Sequence, residues 1–149
     1  MRPEARLFLD TSALFSGIWS QTGGARMILK LGEAGALIIL VSPQVLAEIQ
    51  DVVGRKAPGQ LSKLALLLDR SQVEVVPSAP PDRIAECMHL TRHPGDARAL
   101  ADAWTSRCDF FVTLVIAHFL GDAKLLESIP FRLGTPGDFL AWFRNQLER

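Results

Sequence analysis

The feature that most constrains this chain is a set of short, uninterrupted apolar runs separated by longer segments whose apolar residues return every three or four positions. A strand with one wet face alternates apolar and polar residues. The runs LFL before Asp10, IILV at residues 38–41 and FFV before Thr113 do not alternate. Such strands are covered on both faces, and the helical segments between them supply the cover. Strand, helix and parallel strand join by right-handed crossovers, so the expected fold is α/β, a parallel sheet with helices on both sides.

The elements follow from the same patterns. Residues 7–10 read as a first strand running into a helix cap at Thr11 and Ser12. After Gly23 and Gly24, Met27, Ile28 and Leu31 mark a helix over residues 25–32. Residues 38–41 form a second strand, and Pro43 suits the first turn of a helix striped by Val45, Leu46, Ile49, Val52 and Val53. A further helix covers residues 60–68, a third strand residues 73–76, and helices residues 82–90 and 96–106. The fourth strand is expected at residues 110–113, a short fifth at 131–133, and a closing helix at 138–147.

A length of 149 residues suits one domain, expected here over residues 1–149. With 48% hydrophobic and 21% charged residues the whole chain should fold rather than remain disordered. Sixteen basic residues balance sixteen acidic ones, so nucleic-acid binding would have to use a local patch. Cys87 and Cys108 lack metal-motif spacing and read as buried free thiols, which fits a cytoplasmic protein. The most apolar run, ALIILV, is too short to span a bilayer, so no membrane association is expected.

In open parallel α/β sheets the ligand site lies at the carboxyl ends of the strands, which makes Asp10 the first candidate. Asp10 could be a helix cap, but Ser12 could cap equally well and leave Asp10 free. Glu48 borders the apolar stripe of its helix, a place where acids are often merely solvated. Asp96 opens a helix behind His93-Pro94-Gly95, where the helix dipole stabilises an acid. Asp102 points nearly opposite Ala97, Leu100, Ala101 and Trp104 and reads as surface. Together Asp10, Glu48 and Asp96 are more informative, because clustered carboxylates repel unless a cation neutralises them. Hard oxygen ligands select Mg2+ or Mn2+, the cations of phosphoryl chemistry.

The segments LDTSALFSGIW, LIILVSPQVLAEIQDVV, HPGDARALADAWTSRCDFFVTLVIAHFL and LGTPGDFLAWF resemble, in order and spacing, the PIN-domain proteins of toxin–antitoxin type. The resemblance spans nearly the whole chain. It implies a three-layer α/β/α fold and metal-dependent endoribonuclease activity, with RNA as substrate and an antitoxin protein or a second copy of the chain as partner. Asp10, Glu48 and Asp96 match the family's metal-binding acids, while Thr113 and Ser12 match hydroxyl-bearing positions beside them. The helices at residues 24–32 and 43–55 are the expected partner groove.

The sequence departs from the family at TLVIAHFL. A fourth acid is usual two residues after the threonine, and this chain has Val115 there. Asp109 belongs to the other end of the strand, and Asp122 is a substitute only if its loop returns to the site. Val115 therefore favours an alternative reading, a catalytically weak or inactive module that binds RNA or an antitoxin peptide. A phospho-accepting receiver domain would need further acids beside Asp10, where Leu9 and Thr11 stand instead. His118 lacks an evident carboxylate partner and reads as a partly buried structural residue; Trp19, Trp104 and Trp142 read as packing. Arg26, Lys30, Arg92 and Arg98 would contact phosphate only if they rim the crevice.

Overall fold

The structure is a computed structural model that describes residues 4–121 and 123–149. The chain builds β1 (Arg6–Leu9), α1 (Thr11–Trp19), α2 (Gly24–Glu33), β2 (Ile38–Val41) and α3 (Pro43–Lys56). A single 3-10 turn (Pro58–Gln60) leads into α4 (Leu61–Arg70), β3 (Glu74–Val75), α5 (Pro81–Met88) and α6 (Pro94–Thr105). The remainder is β4 (Phe110–Val112), α7 (Ala117–Leu120), α8 (Ala123–Ser128), β5 (Arg132–Gly134) and α9 (Pro136–Leu147).

The strands form one parallel sheet in the order β3-β2-β1-β4-β5. Leu7 stands between Ile39 and Phe110, and the central strands β1, β2 and β4 are buried almost throughout, as their unbroken apolar runs require. Phe8 and Phe111 stack across β1 and β4 with ring centroids 5.7 Å apart. Phe111 also meets Phe119 at 5.6 Å, which ties the short α7 to the core. Each fully buried side chain of this size contributes roughly 1.5–3 kcal/mol by leaving water.

Several boundaries differ from those the sequence suggests. Helices expected to open at Asp82, Asp96 and Asp138 begin at Pro81, Pro94 and Pro136, because proline's fixed φ suits the first helical position. β3 is a two-residue edge strand with Val75 half exposed. α7 and α8 carry no sustained apolar period, since each is barely a turn or two long. Gly32 packs where a Cβ would lie 2.7 Å from the Ser71 carbonyl, so α2 can approach this turn only with glycine there.

Asp102 is corrected by the structure: it is fully buried rather than on the surface. Ala97, Ala99, Leu100, Ala101 and Ala103 are buried too, so α6 is covered on nearly every side and has no wet face at that point. Asp102 Oδ1 accepts from the Ala79 backbone N–H at 2.7 Å, holding the loop before α5. Cys87 and Cys108 are free and buried, and burial pushes their thiols up to about 11 and about 12.

Candidate functional site

The strand order creates the site. The chain proceeds outward from β1 to β3, then returns to lay β4 and β5 on the other side of β1. The seam between β1 and β4 is thus the switch point, where connections diverge and leave a crevice beyond the carboxyl ends of the strands. Leu9 pairs with Val112, so Asp10 and Thr113 leave the sheet side by side.

Asp10 is the N-cap of α1: its Oδ1 accepts from the Ala13 N–H at 2.9 Å and from Ser12 Oγ at 2.7 Å. Its Oδ2 accepts from the Thr113 hydroxyl. Capping therefore falls to Asp10, not Ser12, and does not consume it, because a carboxylate has two oxygens with about four acceptor sites. Ser12 Oγ accepts from the Leu114 N–H at 3.0 Å, which joins the start of α1 to the loop after β4. Burial pushes the Asp10 carboxyl above its usual range. The Thr113, Ser12 and Ala13 hydrogen bonds oppose that shift, and the nearby Asp96 charge adds to it.

Asp10, Glu48 and Asp96 all line one pocket of about 550 Å³, together with Ser12, Val115 and His118. Glu48 projects from α3, its Oε2 accepting from Thr11 Oγ1 at 2.6 Å and its Oε1 from Gln44 Nε2 at 2.8 Å. Asp96 lies in the first turn of α6, with Oδ2 2.7 Å from His118 Nδ1. His118 is thus not a lone structural histidine: its ring is 39% exposed and has a carboxylate partner. That pairing of α6 with α7 joins residues 22 positions apart, which no local spacing could reveal.

The donor set fits a hard divalent cation. Asp10 is buried, and the groups bonded to it are two hydroxyls and a backbone amide, none of which supplies positive charge. Among the described residues, the set of three potential ligands that converge within 4.8 Å is His93, Asp96 and His118, so Asp10, Glu48 and Asp96 share the pocket less closely than that. Val115 lines the same pocket.

Other candidates divide. Lys56, which ends α3, supplies a cation in the pocket wall that the sequence pattern did not single out. Arg26 is spent on the end of α1, donating to the Gly17 carbonyl at 2.6 Å and the Ile18 carbonyl at 2.8 Å. Asp109 accepts from the Arg6 N–H at 2.8 Å, at the opposite end of β4 from Thr113. Asp122 lies outside the described residues. Trp104 and Trp142 pack against Phe131 and Phe110, whereas Trp19 is half exposed and stacks on Phe15 at 5.0 Å.

Residues 6–114 match the PIN domain. The chain belongs to the PIN-domain family. The matched stretch contains Asp10, Glu48, Asp96 and Thr113 and stops just before Val115. Its fold is similar to that of VapBC2 from Rickettsia felis, solved bound to a DNA fragment from its promoter, with a TM-score of 0.64 and 22% identity over 86% of this chain and 96% of that one. PAE2754 from Pyrobaculum aerophilum gives a TM-score of 0.63 and 15% identity, covering 95% of this chain and 90% of that one. DNA-bound VapBC from Salmonella typhimurium gives 0.62 and 16%, covering 89% and 98%. At these identities the likeness is one of fold. No curated protein matches the chain. Among the described residues no helix is long and apolar enough to cross a membrane.

Proposed function

We propose that this PIN protein is a cytoplasmic endoribonuclease, the toxin component of a toxin–antitoxin pair, acting as one domain over residues 1–149. PIN domains are generally nucleases. The observation that carries the reading is the buried Asp10 carboxylate at the β1/β4 seam, raised in pKa and sharing its pocket with Asp96 and Glu48. Asp10 and Asp96 are the principal ligands for Mg2+ or Mn2+, and Glu48 assists. When bound, the cation supplies activation of water and stabilisation of charge on a phosphodiester. Thr113 and Ser12 orient Asp10 through its two oxygens, and the Thr11 and Gln44 contacts hold Glu48 on the facing wall. Lys56 offers the pocket a contact for phosphate.

Val115 supports a second reading, a module that binds RNA or an antitoxin peptide while cutting slowly or not at all. An apolar branched side chain occupies part of the wall where an acid is usual. The partner face proposed for the antitoxin, or for a second copy, is the pocket of about 500 Å³ between the end of α1 and α4, where Ile18, Trp19, Leu64, Leu66 and Leu67 form an apolar floor rimmed by Arg26, Lys63 and Arg70. The sequence offers the helices at residues 24–32 and 43–55 for the same role; the α1–α4 face is proposed because Leu66 and Trp19 are exposed there.

The test is cleavage of a fluorogenic single-stranded RNA in manganese. Manganese-dependent cutting by the wild type, abolished in Asp10→Asn, is the expected result. Cutting that survives Asp10→Asn, or that needs no divalent cation, overturns the assignment. RNA binding without cutting selects the second reading.

A further inference from the structure

The chain has three histidines, and His89, His93 and His118 all line one pocket of about 700 Å³ adjoining the carboxylate pocket. His118 borders both. The His93 and His118 rings stack with centroids 4.0 Å apart and planes inclined by 21°. Ligand atoms of His93, Asp96 and His118 all lie within 4.8 Å of one another.

We propose that His93, Asp96 and His118 form a metal site of the zinc class that shares Asp96 with the carboxylate pocket. Two imidazoles and one carboxylate are a mixed nitrogen and oxygen donor set. Such sets suit borderline ions such as zinc, whereas all-oxygen sites suit magnesium and manganese. Three protein ligands leave a fourth tetrahedral position for water or an added group, and the pocket of about 700 Å³ offers it room.

The backbone holds these side chains in place. His93 is the N-cap residue of α6 and Asp96 lies in that helix's first turn, so the helix start sets their spacing. His118 sits in α7 next to Phe119, which is fully buried against Phe111. A tetrahedral zinc ion with bonds of ~2.0–2.1 Å keeps its ligand atoms about 3.3 Å apart. One edge of the triangle, Asp96 Oδ2 to His118 Nδ1, is already 2.7 Å. Rotation of exposed rings closes the rest, since His93 and His118 are free of the core. With zinc bound, Asp96 is drawn from the pocket it shares with Asp10, so zinc and manganese weaken one another's binding. The zinc site stands without the nuclease reading; the competition rests on it.

The experiment is a zinc titration of the full chain against a chromogenic chelator, for wild type, His93→Ala, His118→Ala and Asp10→Asn, with circular dichroism confirming that each is folded. Each histidine variant should bind zinc about tenfold or more weakly, while Asp10→Asn should stay close to wild type. Cobalt should give tetrahedral visible bands in the wild type that vanish in His93→Gln, a variant that keeps a polar side chain of similar reach. Histidine variants that retain wild-type zinc affinity overturn the site. So does an equal loss in Asp10→Asn, which would place the ion among the carboxylates. Zinc binding without any manganese binding would sink the nuclease reading and leave this site standing.

Discussion

The Thr113 hydroxyl donates to Asp10 Oδ2 across the seam where β4 lies beside β1. This bond, with those from Ser12 and Ala13, satisfies a carboxylate that is almost fully buried, yet burial still raises its pKa. An acid whose folded pKa exceeds its unfolded one binds protons more tightly when folded. Its contribution to stability is therefore present below the unfolded value and is lost as pH rises through the raised folded value. The metal-free fold thus accommodates the neutral acid better than the carboxylate. Asp10→Asn keeps the cap through its one carbonyl oxygen and removes the charge, while its Nδ2 replaces the acceptor for Thr113 with a donor to Thr113 Oγ1. It should stabilise the metal-free protein by about 1 kcal/mol at pH 7, a gain that shrinks as the pH falls toward 4. Thermal melts of both proteins across that range check this; a variant less stable at pH 7 would contradict it.

Val115→Asp restores an acid to the pocket wall. Manganese affinity should rise ~10 to 100-fold, the usual consequence of a ligand or its support, and Asp10→Asn in the same chain should cancel the gain. The metal-free variant should be less stable, because another carboxylate adds repulsion to Asp10 and Asp96. Calorimetry decides it: unchanged manganese affinity in a folded Val115→Asp would mean that residue 115 does not serve the cation.

The fold was legible because its signal is local. Unbroken apolar runs mark buried parallel strands, and β1, β2 and β4 lie where those runs predict. The acids at the strand end, the helix edge and the helix start do share a pocket. What could not be read depends on packing between distant segments. The Asp96–His118 contact needs α7, a helix too short to leave a pattern. Asp102 looked exposed because helical periodicity assumes one wet face, and alanine-rich α6 has none at that level. The exposure of Trp19 and Leu66 beside one pocket is settled by how the helices lie on the sheet, not by their own spacing.

Asp102 tests the packing of α6. Its Oδ1 is the acceptor for the Ala79 N–H, and its Oδ2 is buried without a hydrogen-bond partner among the described residues. Asp102→Ala leaves the Ala79 N–H unpaired and should cost roughly 1–3 kcal/mol. Asp102→Asn keeps an acceptor and should cost less. Urea unfolding midpoints compare the two; an equal loss would mean that the bond to Ala79 is not what the side chain supplies.

The pocket between α1 and α4 predicts a change in association. Trp19 and Leu66 are 46% and 48% exposed at its edge. If a second copy docks there, Leu66→Lys places a charge in an apolar contact and should weaken self-association at least about tenfold. Sedimentation across a range of concentrations measures it. Self-association that Leu66→Lys leaves untouched would assign the interface to another face.

The central claim is that Asp10 and Asp96, assisted by Glu48, hold one divalent cation at the β1/β4 seam. Calorimetric titration of manganese into the wild type, Asp10→Asn and Asp96→Asn tests it most directly. One weak site per chain in the wild type, lost in both variants while their folds persist, is the predicted result. Wild-type manganese affinity in folded Asp10→Asn would contradict it.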